Sequence, residues 1–410
     1  MGGQVLETAF REAGGRIVAA LAARFRDLDI AEEALAEACS RAARLWETSG
    51  PPEAPAAWLY RTAERAALDM VRRRQVRQTL LPEPPEPELN AEDLMSSDSA
   101  IIPEERLRLI FVCCHPAVAP DSRAALTLRL VCGLEIAEIA RAFLTNDIAL
   151  QQRLVRAKKK IREAGVSFEV PGPEHWPERL GAVLSTLEIA YSKAHEDAAG
   201  SGRHAGFAAE MLSLTALLAS MMPDEAEVQA LAAIIRFAEA RRPARLGADG
   251  SMIPLSEQDP ARWSPELITD ARRYCGRALS IGSPAPRILN MMIHALWCGR
   301  KSLNEPPPWK AVLSAYDLLA GLQDNPIVTI NRAVALAEVD SPEAALAAIA
   351  GLEPARFATF LPYQALLADL LARTGDRAGA LAAFNRALAL GPGEAEARYL
   401  AARRAALSGV

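Results

Sequence analysis

Apolar residues recur at steps of three and four along most of the chain, and the alternation of a half-buried strand is scarce, so the pattern predicts an all-α protein. The clearest stretch is Glu135–Arg162, EIAEIARAFLTNDIALQQRLVRAKKKIR, which reads as a helix, a tight turn and a second helix. Setting the second helix at Asp147–Arg162 and advancing about 100° per residue puts Leu150, Leu154, Ala157 and Ile161 on one face, spaced for burial. Gln152, Arg156 and Lys159 point the opposite way, flanked by Gln151, Arg153 and Lys160. Amide and guanidinium groups so placed suit the base edges and phosphates of a duplex. Asn146 is positioned to cap this helix, and Asp147 complements its positive end. Alone, such a charge run reads as a solvated basic face; its place after a helix and a turn favours DNA.

Two more helices are written upstream. In PAAWLYRTAERAALDMVRRR, Pro55 fits a first helical turn, and Leu59, Ala63, Ala66, Ala67 and Met70 form the apolar face. Trp58 falls instead beside Arg61, Thr62, Arg65, Asp69 and Arg72. Cations that track a backbone, interleaved with a ring on which an unpaired base stacks for roughly 1–3 kcal/mol, suit a single strand. The candidate contacts are Trp58, Arg61, Arg65, Arg72 and Arg73; a tryptophan packed on a neighbouring helix beneath surface arginines satisfies the same spacing. The earlier helix, DIAEEALAEACSRAARLW, is expected to open at Asp29 with Glu32 three residues on, as in a capping box. Ile30, Ala34, Leu35, Ala38, Ala42 and Leu45 supply its apolar side. Asp27, Asp29, Glu32, Glu33 and Glu37 crowd its first half, favouring the helix dipole and offering a charged docking surface.

In this order, DLDIAEEALAEACSRAARLW, PAAWLYRTAERAALDMVRRR, an acidic linker, and SRAALTLRLVCGLEIAEIARAFLTNDIALQQRLVRAKKKIREA resemble the region-two and region-four domains of extracytoplasmic-function (ECF) bacterial sigma factors. The resemblance implies that the acidic helix, through Asp29, Glu32, Glu33 and Glu37, docks on the clamp helices of the largest catalytic subunit of RNA polymerase. It implies that the Trp58–Arg74 helix opens and holds the minus-ten element, and that the loop Ser49–Pro55 helps choose a flipped-out base. The Gln152, Arg156 and Lys159 face would read the minus-thirty-five duplex. This division of labour is physically coherent, because a duplex is read by a groove helix whereas extruded bases, costing a few kcal/mol each, need a surface that rewards unstacking.

The segment Gln78–Pro103 carries Pro82, Pro84, Pro85, Pro87 and Pro103 among carboxylates and is expected to be an extended tether. The resemblance adds that it threads a polymerase channel, mimicking nucleic acid. At 410 residues and a formal charge of −5, the chain fits about two to four units, and its cations are concentrated rather than abundant. Arg153, Arg156, Lys158, Lys159, Lys160 and Arg162 make a local basic footprint on one helix. No signal-peptide pattern is seen, and the uncharged run Met211–Met222 is far short of the roughly 20 residues that cross a bilayer, so a cytoplasmic protein is expected. Cys39, Cys113, Cys114, Cys132, Cys275 and Cys298 read as buried thiols, since the Cys113–His115 triplet has no second ligand pair at zinc spacing. No cofactor or metal is expected, and Glu188, His195 and Asp197 read as helix-surface polarity.

From about Pro173 the chain repeats itself. YQALLADLLARTGDRAGALAAFNRALALGPGE puts Ala380, Phe384, Ala387 and Pro392 at the offsets of a tetratricopeptide (TPR) unit, and Ala345 and Ile349 stand 35 residues before Ala380 and Phe384. A stack of helix pairs with a protein-binding concave surface follows, or a repeat that only stabilises itself. IFVCCHPAVAPDSRAALTLRLVCGL and ARRPARLGADGSMIPLSEQDPARW resemble the ECF group with a long TPR-like C-terminal extension, in which Leu144 replaces the usual turn glycine. YSKAHEDAAG around Tyr191 departs from an FNEGY-like stretch expected in relatives. The expected organisation is therefore a region-two helical bundle (1–77), the linker (78–103), a region-four helix-turn-helix domain (104–168) and a TPR-like helical-repeat domain (173–410). The resemblance implies core RNA polymerase and promoter DNA as partners, with control through the extension and a possible regulatory protein on its repeats. A stand-alone helix-turn-helix regulator with a sensing repeat domain is the alternative, and would bind symmetric half-sites without polymerase. An enzyme is not expected: no Gly-rich phosphate loop, nucleophile elbow or HExxH is present.

Overall fold

In the computed structural model, residues 2–77, 108–131, 136–143, 145–166, 168, 176–197, 205–282 and 284–408 are described. They are helical throughout, apart from turns, loops and one isolated antiparallel bridge between Leu246 and Met252. The linker 78–103, Leu144, Cys132 and the side chains of His195 and Asp197 lie outside them. The chain forms two compact units, one of Met1–Ala194 with Ala205–Leu218, the other of His195–His204 with Ala219–Val410.

The first unit opens with α1 (Gly2–Phe25), α2 (Leu28–Ser49) and α3 (Pro55–Arg77), which pack on one another. Ile17, Leu21, Ala34, Ala38, Leu59, Ala63 and Ala67 are fully or almost fully buried, so small residues bring the three helices close. Two details of α2 differ from the expectation. Its cap is Asp27, whose Oδ1 accepts from the backbone N–H groups of Asp29 and Ile30 at 2.9 and 3.1 Å, so the helix begins two residues earlier and the Asp29 side chain is released for other work. Leu45 is exposed and Trp46 buried, because the core face steps by four from Ala38 through Ala42 and the larger ring takes the last place.

A helical stretch over 108–113 buries Leu109 to Cys114 and leads to α4 (Pro120–Leu130), with proline in its first turn. α5 (Ile136–Ala142) and α6 (Asp147–Glu163) pack on α4 and on each other. α7 (Trp176–Asp197) and α8 (Ala205–Met221) complete the unit and bury Val183, Leu184, Leu187, Met211 and Leu214.

In the second unit α9 (Ala226–Arg241) is buried along its length from Val228 to Arg241, charged residues included. Each finds a partner: Arg236 donates to Asp270 at 2.5 Å and lies 4.4 Å from the Tyr274 ring, and Arg241 lies 3.0 Å from His294 Nδ1. Around it follow α10 (Pro265–Ile281), α11 (Pro286–Trp297), α12 (Trp309–Leu322), α13 (Pro326–Val339), α14 (Pro342–Ile349), α15 (Leu361–Arg373), α16 (Arg377–Ala389) and α17 (Glu394–Ser408). Ala345 and Ile349 join one core cluster with Leu370, while Phe384 and Ala387 join another with Leu400. Those are the TPR-like positions. The chain after Ala389 turns at Gly391, whose φ of +70° lies in the left-handed region that ends many helices.

The loop between α9 and α10 is long yet firmly held. The Met252 N–H donates to the Ala395 carbonyl of α17 at 3.0 Å, and Arg398 donates to the Asp249 carbonyl at 2.8 Å. Leu255 packs with Trp297 and Trp309, and Arg300 donates to the carbonyls of Ser256, Leu303 and Glu305. One irregular segment thus straps α17 to the corner between α11 and α12.

Candidate nucleic-acid interface

The helix-turn-helix is built by two simple devices. The Thr145 N–H donates to the Ala140 carbonyl at 2.9 Å, closing the turn after α5. Asn146 Oδ1 then accepts from the Ala149 N–H at 2.8 Å and starts α6 as expected. Leu150, Leu154, Ala157 and Ile161 are all buried, as the periodicity required. Gln151, Gln152, Arg156, Lys159 and Lys160 are exposed and Arg153 half-buried. Arg156 Nε donates to the Gln152 carbonyl at 3.2 Å, and Lys159 lies 3.5 Å from Glu163. In water such a pairing is weak enough to yield to a phosphate.

Two residues of this face escape a reading based on charge. Ile148 is 69% exposed and Val155 60%. At about 100° per residue they fall to one side of Gln152 and Lys159, beyond Lys159 on the flank of the outward face. Apolar side chains there match the C5 methyl of thymine in a major groove. Their signal in the sequence was their position, roughly opposite Ala157 on the wheel.

On α3, Arg61, Arg65, Arg72 and Arg73 are exposed, and Leu59, Ala63, Ala66 and Ala67 are buried. Trp58 is half-buried and meets Trp46 of α2 edge-on, with ring centroids 5.4 Å apart and planes at 65°. Both readings of Trp58 therefore keep a foothold: the ring has a protein neighbour, and part of it stays accessible beside the arginines. Arg74 reaches back to Asp27 at 2.8 Å, tying the end of α3 to the start of α2.

The acidic residues of α2 divide in two. Glu33 is exposed, and Glu37 is paired with Arg41 at 2.8 Å, whose hydrogen bond holds its carboxyl below the ordinary value. Asp29 and Glu32 instead face the region of α6. Lys158 Nζ lies 2.7 Å from Asp29 Oδ1 and 2.7 Å from Glu32 Oε2, Arg162 donates to Asp29 at 3.0 Å, and Arg129 lies 3.5 Å from Glu32. Burial works to raise the Asp29 pKa, yet the Lys158 and Arg162 charges outweigh it and hold the carboxyl below 3.8. Burial likewise opposes the Lys158 ammonium, and Glu32 and Asp29 together raise it above 10.5.

The Cys113–His115 triplet is occupied by the fold. Cys113 and Cys114 are fully buried, and burial pushes the Cys114 thiol up to about 11. His115 Nδ1 accepts from the Ala117 N–H at 3.2 Å, which engages that ring nitrogen in the turn. Cys298 is also buried, whereas Cys39 and Cys275 are half-exposed. Among the described residues no cluster of three metal-ligating side chains occurs, and no helix is long and apolar enough to cross a membrane.

A three-helix bundle with an arginine-rich helix, followed by a helix-turn-helix with a basic outer face, defines a promoter-recognition protein of the sigma type. The family models agree: Sigma-70 region 2 matches residues 9–77 and Sigma-70 region 4 matches residues 108–161. A family of unknown function (DUF6596) matches residues 179–279. An uncharacterized protein of Rhizobium meliloti (strain 1021) is 37% identical over 402 residues, covering 96% of this chain and 94% of that protein. No solved structure matches the chain. The chain belongs to the sigma-70 family, as an ECF-like sigma factor with a C-terminal helical extension.

Proposed function

We propose that this chain binds core RNA polymerase, directs it to promoters and starts transcription there, under the control of its C-terminal extension. Residues 1–77 serve as the region-two domain and 104–168 as the region-four domain, joined by the tether 78–103, with the extension from about 173 onward. Asp29, Glu32, Glu33 and Glu37 offer the polymerase a negative surface. Arg61, Arg65, Arg72 and Arg73 hold the melted minus-ten strand, and the accessible part of Trp58 takes one base. Gln151, Gln152, Arg153, Arg156, Lys159 and Lys160 read and grip the minus-thirty-five duplex. The repeats of the extension take a regulatory protein, and the protein works in the cytoplasm.

The observation that carries this reading is the pairing of two cationic surfaces of different type in region-two and region-four order, α3 beside a half-buried tryptophan and α6 at the end of a helix-turn-helix. Base extrusion and duplex reading are distinct tasks, and each surface suits one of them. No reacting group is needed, so the chain acts without catalysis. The test is reconstituted transcription with purified chain, core polymerase and a library of candidate promoters. Start-site-specific transcripts are expected, and Trp58→Ala should spare duplex binding while reducing open complexes by about tenfold. Tight binding to a symmetric operator without polymerase, and no transcripts with it, would instead fit a stand-alone regulator.

A further inference from the structure

The contact between α2 and α6 is unusual for what it occupies. Asp29 and Glu32 are separated from Lys158 and Arg162 by more than 120 residues of sequence, yet the four side chains form one charge cluster. The Lys158 side chain is only 15% exposed, so screening reaches it poorly and its two carboxylates are engaged in full. With Lys158 on one oxygen of each carboxylate and Arg162 or Arg129 on the other, both oxygens of Asp29 and of Glu32 are already engaged by cations of the chain.

A second contact of different chemistry holds the same two parts together. A methyl group placed on Gly15 of α1 would lie 2.3 Å from the carbonyl oxygen of Val131, just past α4. Only a glycine permits that approach. A cavity of about 390 Å³, bounded by Phe10, Val18, Leu35 and Leu130, lies on one side of Glu32 and Arg129, and a second of about 250 Å³, bounded by Leu126, Leu154 and Val155, on the other. Charges and one close backbone approach hold the faces together beside two clefts open to solvent.

We propose that in the free chain the region-four helix rests on the polymerase dock: Lys158, Arg162 and Arg129 occupy Asp29 and Glu32, and core RNA polymerase must displace them to engage α2. The proposal rests on the function proposed above, since it needs α2 to be the polymerase surface. What is masked is that dock and not the DNA-reading face, because Ile148, Gln152, Val155 and Lys159 remain exposed while the contact is closed. The partner of the acidic surface at rest is therefore the chain itself.

The test uses the full-length protein and a carbodiimide, which joins an amine to a carboxylate in direct contact. Digestion and mass spectrometry should find Lys158 joined to Asp29 or Glu32 in the free chain, and the product should fall by about fivefold or more when core polymerase is present in excess. Lys158→Gln removes the central cation, and Gly15→Ala pushes the faces apart while adding a better helix former to α1. Each should bind core polymerase about threefold to tenfold more tightly than the wild type, and Gly15→Ala should leave duplex binding by the free chain unchanged. Unchanged or weaker polymerase binding by Lys158→Gln, with the variant folded by circular dichroism, overturns the proposal, and so does absence of the cross-link in the free chain. If no variant binds polymerase although the cross-link forms, the function reading has failed and the competition falls with it. That outcome is distinguished from the first by the intact cross-link.

Discussion

A lysine that neutralises a phosphate and an aliphatic side chain that meets a thymine methyl leave different marks on a binding curve. Lys159 and Val155 sit one turn apart on the outward face of α6, so the same duplex separates them. Lys159→Ala should weaken binding evenly across sequences and lower the slope of log K against log salt by about one. Val155→Ala should leave the salt slope alone and reduce the preference for thymine at one position by roughly 1 kcal/mol. Salt titrations on matched and single-substituted duplexes check both, and a sequence-dependent loss for Lys159→Ala would place it on a base edge. Charge made Lys159 visible in the sequence. Val155 was hidden because an apolar residue reads as core until the opposite face is known to be buried, which Leu150, Leu154, Ala157 and Ile161 settle.

Among elements, the recognition helix was legible because both its ends and its buried face are local properties of a few residues. Asn146 caps where the spacing says it should. The start of α2 misled because the chain offers three carboxylates within six residues, and any of them can cap. The choice fell to Asp27, which also meets Arg74 from α3, a tertiary contact that propensity does not register. Asp27→Ala should therefore cost about 1 kcal/mol of stability, the usual loss for a cap, while Asp29→Ala leaves the helix start intact. Urea unfolding of both variants decides it, and equal losses would return the capping role to Asp29. The strap between α9 and α10 was illegible for a related reason: its polar backbone is satisfied by Arg300, Arg398 and the Ala395 carbonyl, from helices far along the chain.

For the whole molecule, all-helical class and the sigma-type order of domains were written in periodicity and motif, while the joints between parts were not. α7 and α8 lie beyond the boundary read near Pro173, yet they belong to the first compact unit, with Thr186 beside Cys114 and Arg179 beside His115. A chain ending after Leu218 should accordingly stay soluble and unfold cooperatively, whereas one ending near residue 167 should lose stability, because the buried side of Cys114 and its neighbours would face water. Calorimetry on the two truncates compares them directly. The joint between α2 and α6 carries the last consequence. Asp29 is lowered from 3.8, so its share of the contact is present above that value and is lost as the pH falls through the lowered one. Lys158 is raised from 10.5, so its share is present below that value and is lost as the pH rises through the raised one. The other groups facing the pair, Glu32, Arg162 and Arg129, are a carboxylate and two guanidinium groups. Energy transfer between fluorophores at the exposed Thr48 of α2 and Ala164 beyond α6 should therefore stay flat from about pH 5 to about pH 9 and fall as salt is raised toward about 1 M, where the screening length shrinks to about 3 Å. A contact governed by histidine would do the reverse, changing near pH 6.5 and ignoring salt.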